Sequence, residues 1–379
     1  MVIVPLLAMH MANELLSVPV AGITLAVAAA AVAIAAGRAK RAMADERLPL
    51  MGVMGAFVFA AQMINFTLPV LPGTSGHLGG GVLLAILLGP AAGMVIMAAI
   101  LIVQCLLFQD GGLLALGCNI INMGVIPCLI GGGLYHLLLG PAAKAAAWRQ
   151  YLAAWMACLL GVVAGAAMVP VESGLSGVLR VPLGQFLSVM IGVHLLIGLC
   201  EGAITFAVIA YLRRVRPELM GIEPAETLVA SHPPGYGAVA VSLLVTALLL
   251  AGVVSWFASR SPDGLEWSYG EHHYAAAEKA VQNDSSLVAA VERWQQRWSV
   301  MSDYTRRDVP LGQLPVEAKA EPSSAWATPD GWRSLAGILG TIVTLGILYG
   351  VSRWMRETTD NEGSETKMRN EQRRMNNEN

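Results

Sequence analysis

The sequence predicts an all-α membrane protein, a polytopic bundle of about seven plus two transmembrane helices with the N-terminus outside and the C-terminus inside. Three observations lead there. Of the 379 residues, 55% are hydrophobic and 13% charged, with a mean hydropathy of +0.60, whereas a soluble globule carries about 25% charged residues. The apolar residues gather into runs near the roughly twenty residues needed to cross a hydrocarbon core. The lysines and arginines between those runs fall, cluster by cluster, on one side of the membrane.

The apolar segments run over 12–36, 48–68, 79–89, 90–108, 113–139, 150–171, 184–213, 236–258 and 333–354. Most have crossing length. The third does not, and Gly89-Pro90 parts it from the fourth. It reads as a short, partly re-entrant helix turned at Gly-Pro, because a residue before proline is pushed out of helical geometry. Arg38, Lys40, Arg41 and Arg47 follow the first segment, and Lys144 and Arg149 lie between the fifth and sixth. Arg213, Arg214 and Arg216 follow the seventh, and Arg353 and Arg356 the last. Counting the short helix as a pass puts all of these clusters in the cytoplasm. The N-terminus, the loop around His77 and the turn Gln109-Asp110-Gly111-Gly112 then share the outer face.

This organisation divides the chain. Residues 1–8 form an N-terminal extension, 9–215 a seven-helix membrane domain and 216–235 a polar cytoplasmic linker. Residues 236–356 form a two-helix domain carrying an extracytoplasmic segment, 259–332, and the polar tail 357–379 is expected to be disordered. Cys105, Cys118, Cys128, Cys158 and Cys200 all lie in apolar runs without CxxC spacing. That argues against a disulfide framework or a thiolate zinc site and for buried small hydrophobes. Glycines inside the apolar segments indicate helices packed backbone-close. No internal repeat is visible, which argues against an inverted-repeat secondary transporter.

Two histidines carry the functional signal, His10 in Met9-His10-Met11 and His77 in Gly73-Thr74-Ser75-Gly76-His77-Leu78-Gly79-Gly80-Gly81. If Met9 is the first residue, its amine, the amide nitrogen of His10 and the His10 imidazole can all reach one ion. They close a five-membered and a six-membered chelate ring, and His77 would complete a square plane. That geometry suits Ni(II) or Cu(II), and Co(II) can be forced into it. Zinc and calcium are disfavoured. The arrangement requires residues 1–8 to be absent from the working protein. They lack the basic region of a secretory signal, so translation from Met9 is the expectation.

Taken singly, His10 also reads as an interfacial histidine and His77 as a helix cap; together, in a chain this poor in charge, they point to a shared ion. His136, His194 and His232 read as packing or linker residues. His272 and His273 read as a solvated pair. Ser75, Gln104, Asn119 and Asn122 are candidates for orienting the ligand imidazoles, although polar glue between helices is an open reading for them.

Three ordered stretches resemble a known family: Met9-His10-Met11-Ala12, Ser75-Gly76-His77-Leu78-Gly79-Gly80, and Gly111-Gly112-Leu113-Leu114-Ala115-Leu116-Gly117-Cys118-Asn119-Ile120-Ile121-Asn122-Met123. They look like the cobalt- and nickel-specific substrate-binding components of energy-coupling-factor ABC transporters, of CbiM/NikM type, over roughly residues 9–215. Ser261-Pro262-Asp263-Gly264-Leu265-Glu266 resembles the PDGLE signature of a small two-pass accessory component, here fused in one chain. The resemblance implies a protein of the cell (inner) membrane that binds Ni²⁺ or Co²⁺ as transported substrate near its outer face, with no permanent cofactor. It implies Met9, His10 and His77 as metal ligands. It also implies a transmembrane coupling component and a pair of cytoplasmic ATPases as partners, and an accessory part that aids metal loading. The extension 1–8 departs from the family pattern.

The chain has no G-x-x-x-x-G-K-[ST] loop, so ATP hydrolysis would fall to a partner. No nucleic-acid partner is expected. Two other readings differ in class. An intramembrane metallohydrolase needs clustered ligands and a carboxylate base, commonly H-E-x-x-H, and Glu14, Glu172 and Glu201 lack that pattern. A membrane sensor or scaffold would bind metal or a partner through 259–332 without transport.

Overall fold

Prolines and glycines set several of the helix boundaries. The computed structural model describes residues 10–42, 48–68, 70–140, 146–215, 236–259, 261–269, 283, 285–304 and 330–377. Helix α1 spans Val18–Ala42 and has Pro19 in its first turn, where a missing N–H costs nothing. The helix therefore starts later than the expected residue 12. Residues 10–17 instead form an N-terminal segment with a 3₁₀ turn at Asn13–Leu15, held because the buried Asn13 Oδ1 accepts the Leu114 N–H at 2.8 Å.

Helix α2 (Leu48–Gln62) is followed by a minimal antiparallel pair, β1 (Phe66–Thr67) and β2 (Ser75–Gly76), which carries the His77 loop. Helix α3 (Gly81–Leu88) is buried along Gly81 to Leu87. Its length of about 12 Å is too short to cross a bilayer. Gly89, with φ at 88°, turns the chain, and Pro90 opens α4 (Pro90–Phe108). Gln104 near the end of α4 donates to Gln62 at the end of α2 at 3.0 Å. The two helices thus end at one level, and α3 is the return between them.

Helix α5 (Leu116–Leu139) contains wide π turns at Ile120–Val125 and Pro127–Gly131. With i→i+5 bonding the donor to the Asn122 carbonyl would be residue 127, and proline has no N–H. That carbonyl lies so close to Gly165 of α6 (Ala147–Leu175) that a β-carbon there would collide with it. Gly165→Ala should therefore lower stability by about 1–3 kcal/mol, the usual cost of overpacking. Gly133→Ala on α5, where a β-carbon meets nothing within 4 Å, should leave the melting temperature unchanged. Equal melting curves for the two variants would refute the close approach.

Helix α6 packs along α7 (Leu183–Val215). After the undescribed linker come α8 (Tyr236–Gly252), α9 (Gly264–Tyr269), α10 (Ser286–Trp298) and α11 (Gly331–Asn377). Helices α8 and α11 pack on α2, and the main core gathers from α2, α3, α4 and the inner faces of these two. Among the described residues, six helices are long and apolar enough to cross a membrane by length and composition, with shorter apolar helices at Leu50–Gln62 and Gly237–Gly252. Helix α1 shows Ile23, Val27 and Ile34 on its outer face, as a lipid-facing helix would. Cys105, Cys118, Cys128 and Cys158 are buried thiols, and Cys200 is half-buried.

Helix α11 runs on through residues 357–377 of the polar tail, since extending a formed helix avoids the cost of nucleating one. An Arg353–Glu357 pair at i,i+4 spacing, 2.7 Å apart, bridges the expected end of the span.

Candidate metal centre

Three stretches distant in sequence bring the two histidines together. The first is the N-terminal segment. Met11 N–H donates to Asn119 Oδ1 at 2.9 Å, Asn119 Nδ2 donates back to the Met11 carbonyl at 3.2 Å, and Gly112 N–H reaches the same carbonyl at 3.0 Å. Asn119 at the start of α5 thus grips the backbone beside His10. Gly111, with φ at 89°, is required here: a β-carbon would sit 2.9 Å from the His10 Cβ.

The second stretch is the end of α4. Gln109 closes the helix in the left-handed region, and Gln109 and Asp110 both donate N–H to the Gln104 carbonyl. This turn aims the Asp110 side chain at His10, whose Nδ1 lies 2.7 Å from Asp110 Oδ1. The other oxygen, Oδ2, accepts the Tyr304 hydroxyl at 2.7 Å. Burial alone would raise the Asp110 carboxyl. Attraction to His10, the hydrogen bonds from His10 and Tyr304, and attraction to His77 together bring it below the ordinary aspartate value. Because a carboxylate accepts, Nδ1 of His10 carries the hydrogen. Its Nε2 is buried and has no hydrogen-bond partner among the described residues.

The third stretch is the His77 loop. Glu201 on α7 accepts Gly79 N–H at 2.7 Å through Oε2 and Gly80 N–H at 3.1 Å through Oε1, while Gln62 donates to the Gly79 carbonyl at 2.8 Å. His77 Nδ1 donates to the Leu78 carbonyl at 3.1 Å, which turns Nε2 the other way. That nitrogen stands 3.8 Å from Asp263 Oδ2. Burial raises the Asp263 carboxyl above its ordinary value, and His77 only partly offsets this.

The imidazole centroids of His10 and His77 are 5.7 Å apart. Two imidazoles on one ion at about 2 Å have centroids about 4.5 to 6.3 Å apart, so a single ion can span this pair. A cavity of about 90 Å³ adjoins them, with His10, His77, Asn122, His194, Glu201 and Asp263 among its polar lining. Among the described residues, no three or more His, Cys, Asp or Glu side chains form a metal-holding group. An ion held here would draw together side chains that stand apart in this structure, or take donors from the backbone or a terminus.

Met9 lies outside the described residues, as do His232, His272 and His273. Among the described residues, none of the four expected to orient imidazoles has a hydrogen bond to one. Asn119 holds the Met11 backbone, Ser75 Oγ donates to the Ser261 carbonyl at 2.9 Å, Gln104 bonds Gln62, and Asn122 donates to Glu172 at 2.7 Å. The carboxylates that face the imidazoles are Asp110, 2.7 Å from His10 Nδ1, and Asp263, 3.8 Å from His77 Nε2. His194, expected merely to pack, lines the cavity with its Nδ1 fixed on the Met190 carbonyl at 2.9 Å. One nitrogen is also not where the chelate needs it. A six-membered ring to the His10 amide uses Nδ1, and Asp110 holds that atom.

The sequence reading missed Asp110, Asp263, Glu201, Gln295 and Tyr304 as site residues. A lone acid beside Gly-Gly at the end of an apolar run, on the histidines' face, was a usable signal for Asp110. Gln295 and Tyr304 carried none. Gln295 Nε2 donates to the Gly111 carbonyl at 2.7 Å and the Cys105 carbonyl at 3.1 Å, and its Oε1 accepts Leu113 N–H at 3.1 Å. Tyr304 stacks on Phe108 at 4.8 Å. The C-terminal third of the chain therefore builds part of this site.

Residues 10–219 match the family described as the cobalt uptake substrate-specific transmembrane region, and residues 237–357 match the PDGLE domain. A putative metal transport protein of Haloquadratum walsbyi is 37% identical over 212 residues, covering 56% of this chain and 93% of that protein. A putative fused nickel transport protein, NikMN, of Archaeoglobus fulgidus is 31% identical over 307 residues, 81% of this chain and 86% of that one. The fused nickel transport protein NikMN of Rhodobacter capsulatus is 27% identical over 323 residues, 81% of this chain and 92% of that one.

Proposed function

Since the chain belongs to the cobalt-uptake substrate-specific transmembrane family, with a PDGLE domain fused behind it, we propose that it is the metal-binding membrane component of an energy-coupling-factor importer for nickel or cobalt. The protein is a multi-pass membrane protein and a nickel/cobalt transport component of CbiM/NikMN type. In this proposal its chain makes nine passes in the cell (inner) membrane, the short re-entrant α3 counted as one of them, with the N-terminus outside, and takes the ion from the outer face. A transmembrane coupling component and a cytoplasmic ATPase pair supply the energy, so the chain itself is not an enzyme.

The observation that carries the reading is the meeting of His10 and His77, 5.7 Å between ring centres, each with Nδ1 held by an acceptor in the same small cavity. The proposed ligands are the Met9 amine, the His10 amide and imidazole, and His77 Nε2. Nitrogen from backbone and terminus supplies what the side chains alone do not. Loading would put the ion at His10 Nδ1 in place of the hydrogen bond to Asp110, the Nδ1 proton leaving as Nε2 takes one up and the ligating amide nitrogen releasing its proton to solvent, while Asp110 remains held by Tyr304 through its other oxygen.

The test fixes the first residue. Intact-mass measurement of active protein is expected to show a chain beginning at Met9. A form forced to keep residues 1–8 by Met9→Leu should bind Ni²⁺ at least about 100-fold more weakly and import none in vesicles containing the coupling component and ATPases. That figure exceeds the 10- to 100-fold typical of losing a group that merely supports a ligand. Equal loading of the two forms would defeat the amine ligand.

A further inference from the structure

An imidazole nitrogen and a carboxylate oxygen that face each other across a cavity are both donors a divalent transition-metal ion accepts. His77 and Asp263 stand in this relation. The Leu78 carbonyl accepts from Nδ1, and Nε2 faces Asp263 Oδ2, 3.8 Å away, with both residues lining the cavity. That distance is too long for a direct hydrogen bond. An ion bound to both atoms at about 2.0–2.2 Å spans about 2.9 Å at a right angle and about 4.2 Å in a straight line, and 3.8 Å falls between.

The carboxylate is also fixed in place. Asp263 is buried, and its Oδ1 accepts the Glu266 N–H at 2.8 Å at the start of α9, while its carbonyl accepts Trp267 N–H at 2.8 Å. The residue before it is tied to the His77 hairpin, since Ser75 N–H donates to the Pro262 carbonyl at 2.8 Å. One oxygen therefore holds the helix, and the other is delivered into the cavity.

We propose that Asp263 is an oxygen ligand to the transported ion, a fifth donor above the plane of four nitrogens. This rests on the nitrogen-ligand reading given above. The PDGLE half then completes the coordination sphere as well as bracing the loops, and the fused protein holds its ion in five-coordinate rather than square-planar geometry.

The test uses the purified full chain beginning at Met9 and loaded with Ni²⁺, followed by X-ray absorption at the nickel edge and competitive titration. The wild type is expected to lack the sharp pre-edge feature of a square plane. Asp263→Asn keeps an oxygen to cap α9 but replaces the ligating oxygen with an amide nitrogen that cannot bind metal. It should show the square-planar feature, bind at least tenfold more weakly and melt at the wild-type temperature. Asp263→Ala, which loses the cap as well, should give the same spectrum. A square-planar wild type, or an Asp263→Asn spectrum and affinity equal to wild type, would overturn the assignment. A wild type that binds no nickel, or binding that survives His10→Ala, would sink the nitrogen-ligand reading and this proposal with it. An unchanged Asp263→Asn protein that still depends on His10 sinks this proposal alone.

Discussion

His10→Ala is expected to abolish Ni²⁺ and Co²⁺ binding, with affinity falling by more than the 10- to 100-fold seen on losing a ligand's supporting partner. Two effects combine in that variant. The ion loses the imidazole, and Asp110 loses the donor 2.7 Å away on its buried carboxylate. Leaving a buried acceptor without its donor costs about 1–3 kcal/mol, more for a charged one, so the single variant should also melt earlier. The double variant His10→Ala, Asp110→Asn separates the effects. It removes the unbalanced charge, and the amide oxygen introduced there can still accept the Tyr304 hydroxyl, so stability should recover while metal binding does not. Titration and melting of the two proteins provide the measurement. Metal binding in the double variant close to wild type would exclude His10 as a ligand.

Glu201→Ala should be nearly as damaging, although Glu201 is assigned no contact with the ion. The carboxylate satisfies two backbone donors soon after His77, the half-buried Gly79 N–H and the buried Gly80 N–H. Each donor left without an acceptor costs about 1–3 kcal/mol, so the loop would be destabilised by roughly 2–6 kcal/mol. If that cost is borne in forming the binding conformation, affinity falls about 30-fold or more, at 1.4 kcal/mol per factor of ten. Glu201→Gln keeps one acceptor oxygen and should lie between wild type and alanine. The readout is metal affinity in the full chain, with circular dichroism confirming an intact helical bundle. An alanine variant binding within threefold of wild type would show that the loop is held by other contacts, such as Gln62 on the Gly79 carbonyl.

Much of this architecture was legible in the residues. The turn at Gly89-Pro90 was readable because the backbone preferences of glycine and proline are local properties. His10 and His77 stood out because imidazoles are rare beside long apolar runs. The start of α1 was misplaced because Ala12 to Leu16 looks apolar, yet Asn13 is committed to Leu114 rather than to a helix. Ser75, Gln104, Asn119 and Asn122 have partners other than the imidazoles expected for them. A polar residue in a membrane bundle takes whichever partner lies at its own depth, and depth is not written in sequence spacing.

The sequence by itself determined that this is a helical membrane protein, where its apolar helices lie, that His10 and His77 are the candidate pair, and that a PDGLE segment follows the first seven apolar runs. Hydropathy and turn chemistry act over a few residues, so they can be read in order along the chain. Only the tertiary structure decided which carboxylates face the imidazoles, and that the accessory half reaches into the site. His10 and Asp110 are 100 residues apart, and Asp110 and Tyr304 are 194 apart. Their meeting depends on α4 ending level with the N-terminal segment and on the turn after α10 folding back over that end, where Val300 and Met301 both donate to the Leu107 carbonyl. Side chains so far apart in the chain become neighbours through the packing of whole helices, and no local pattern encodes that packing.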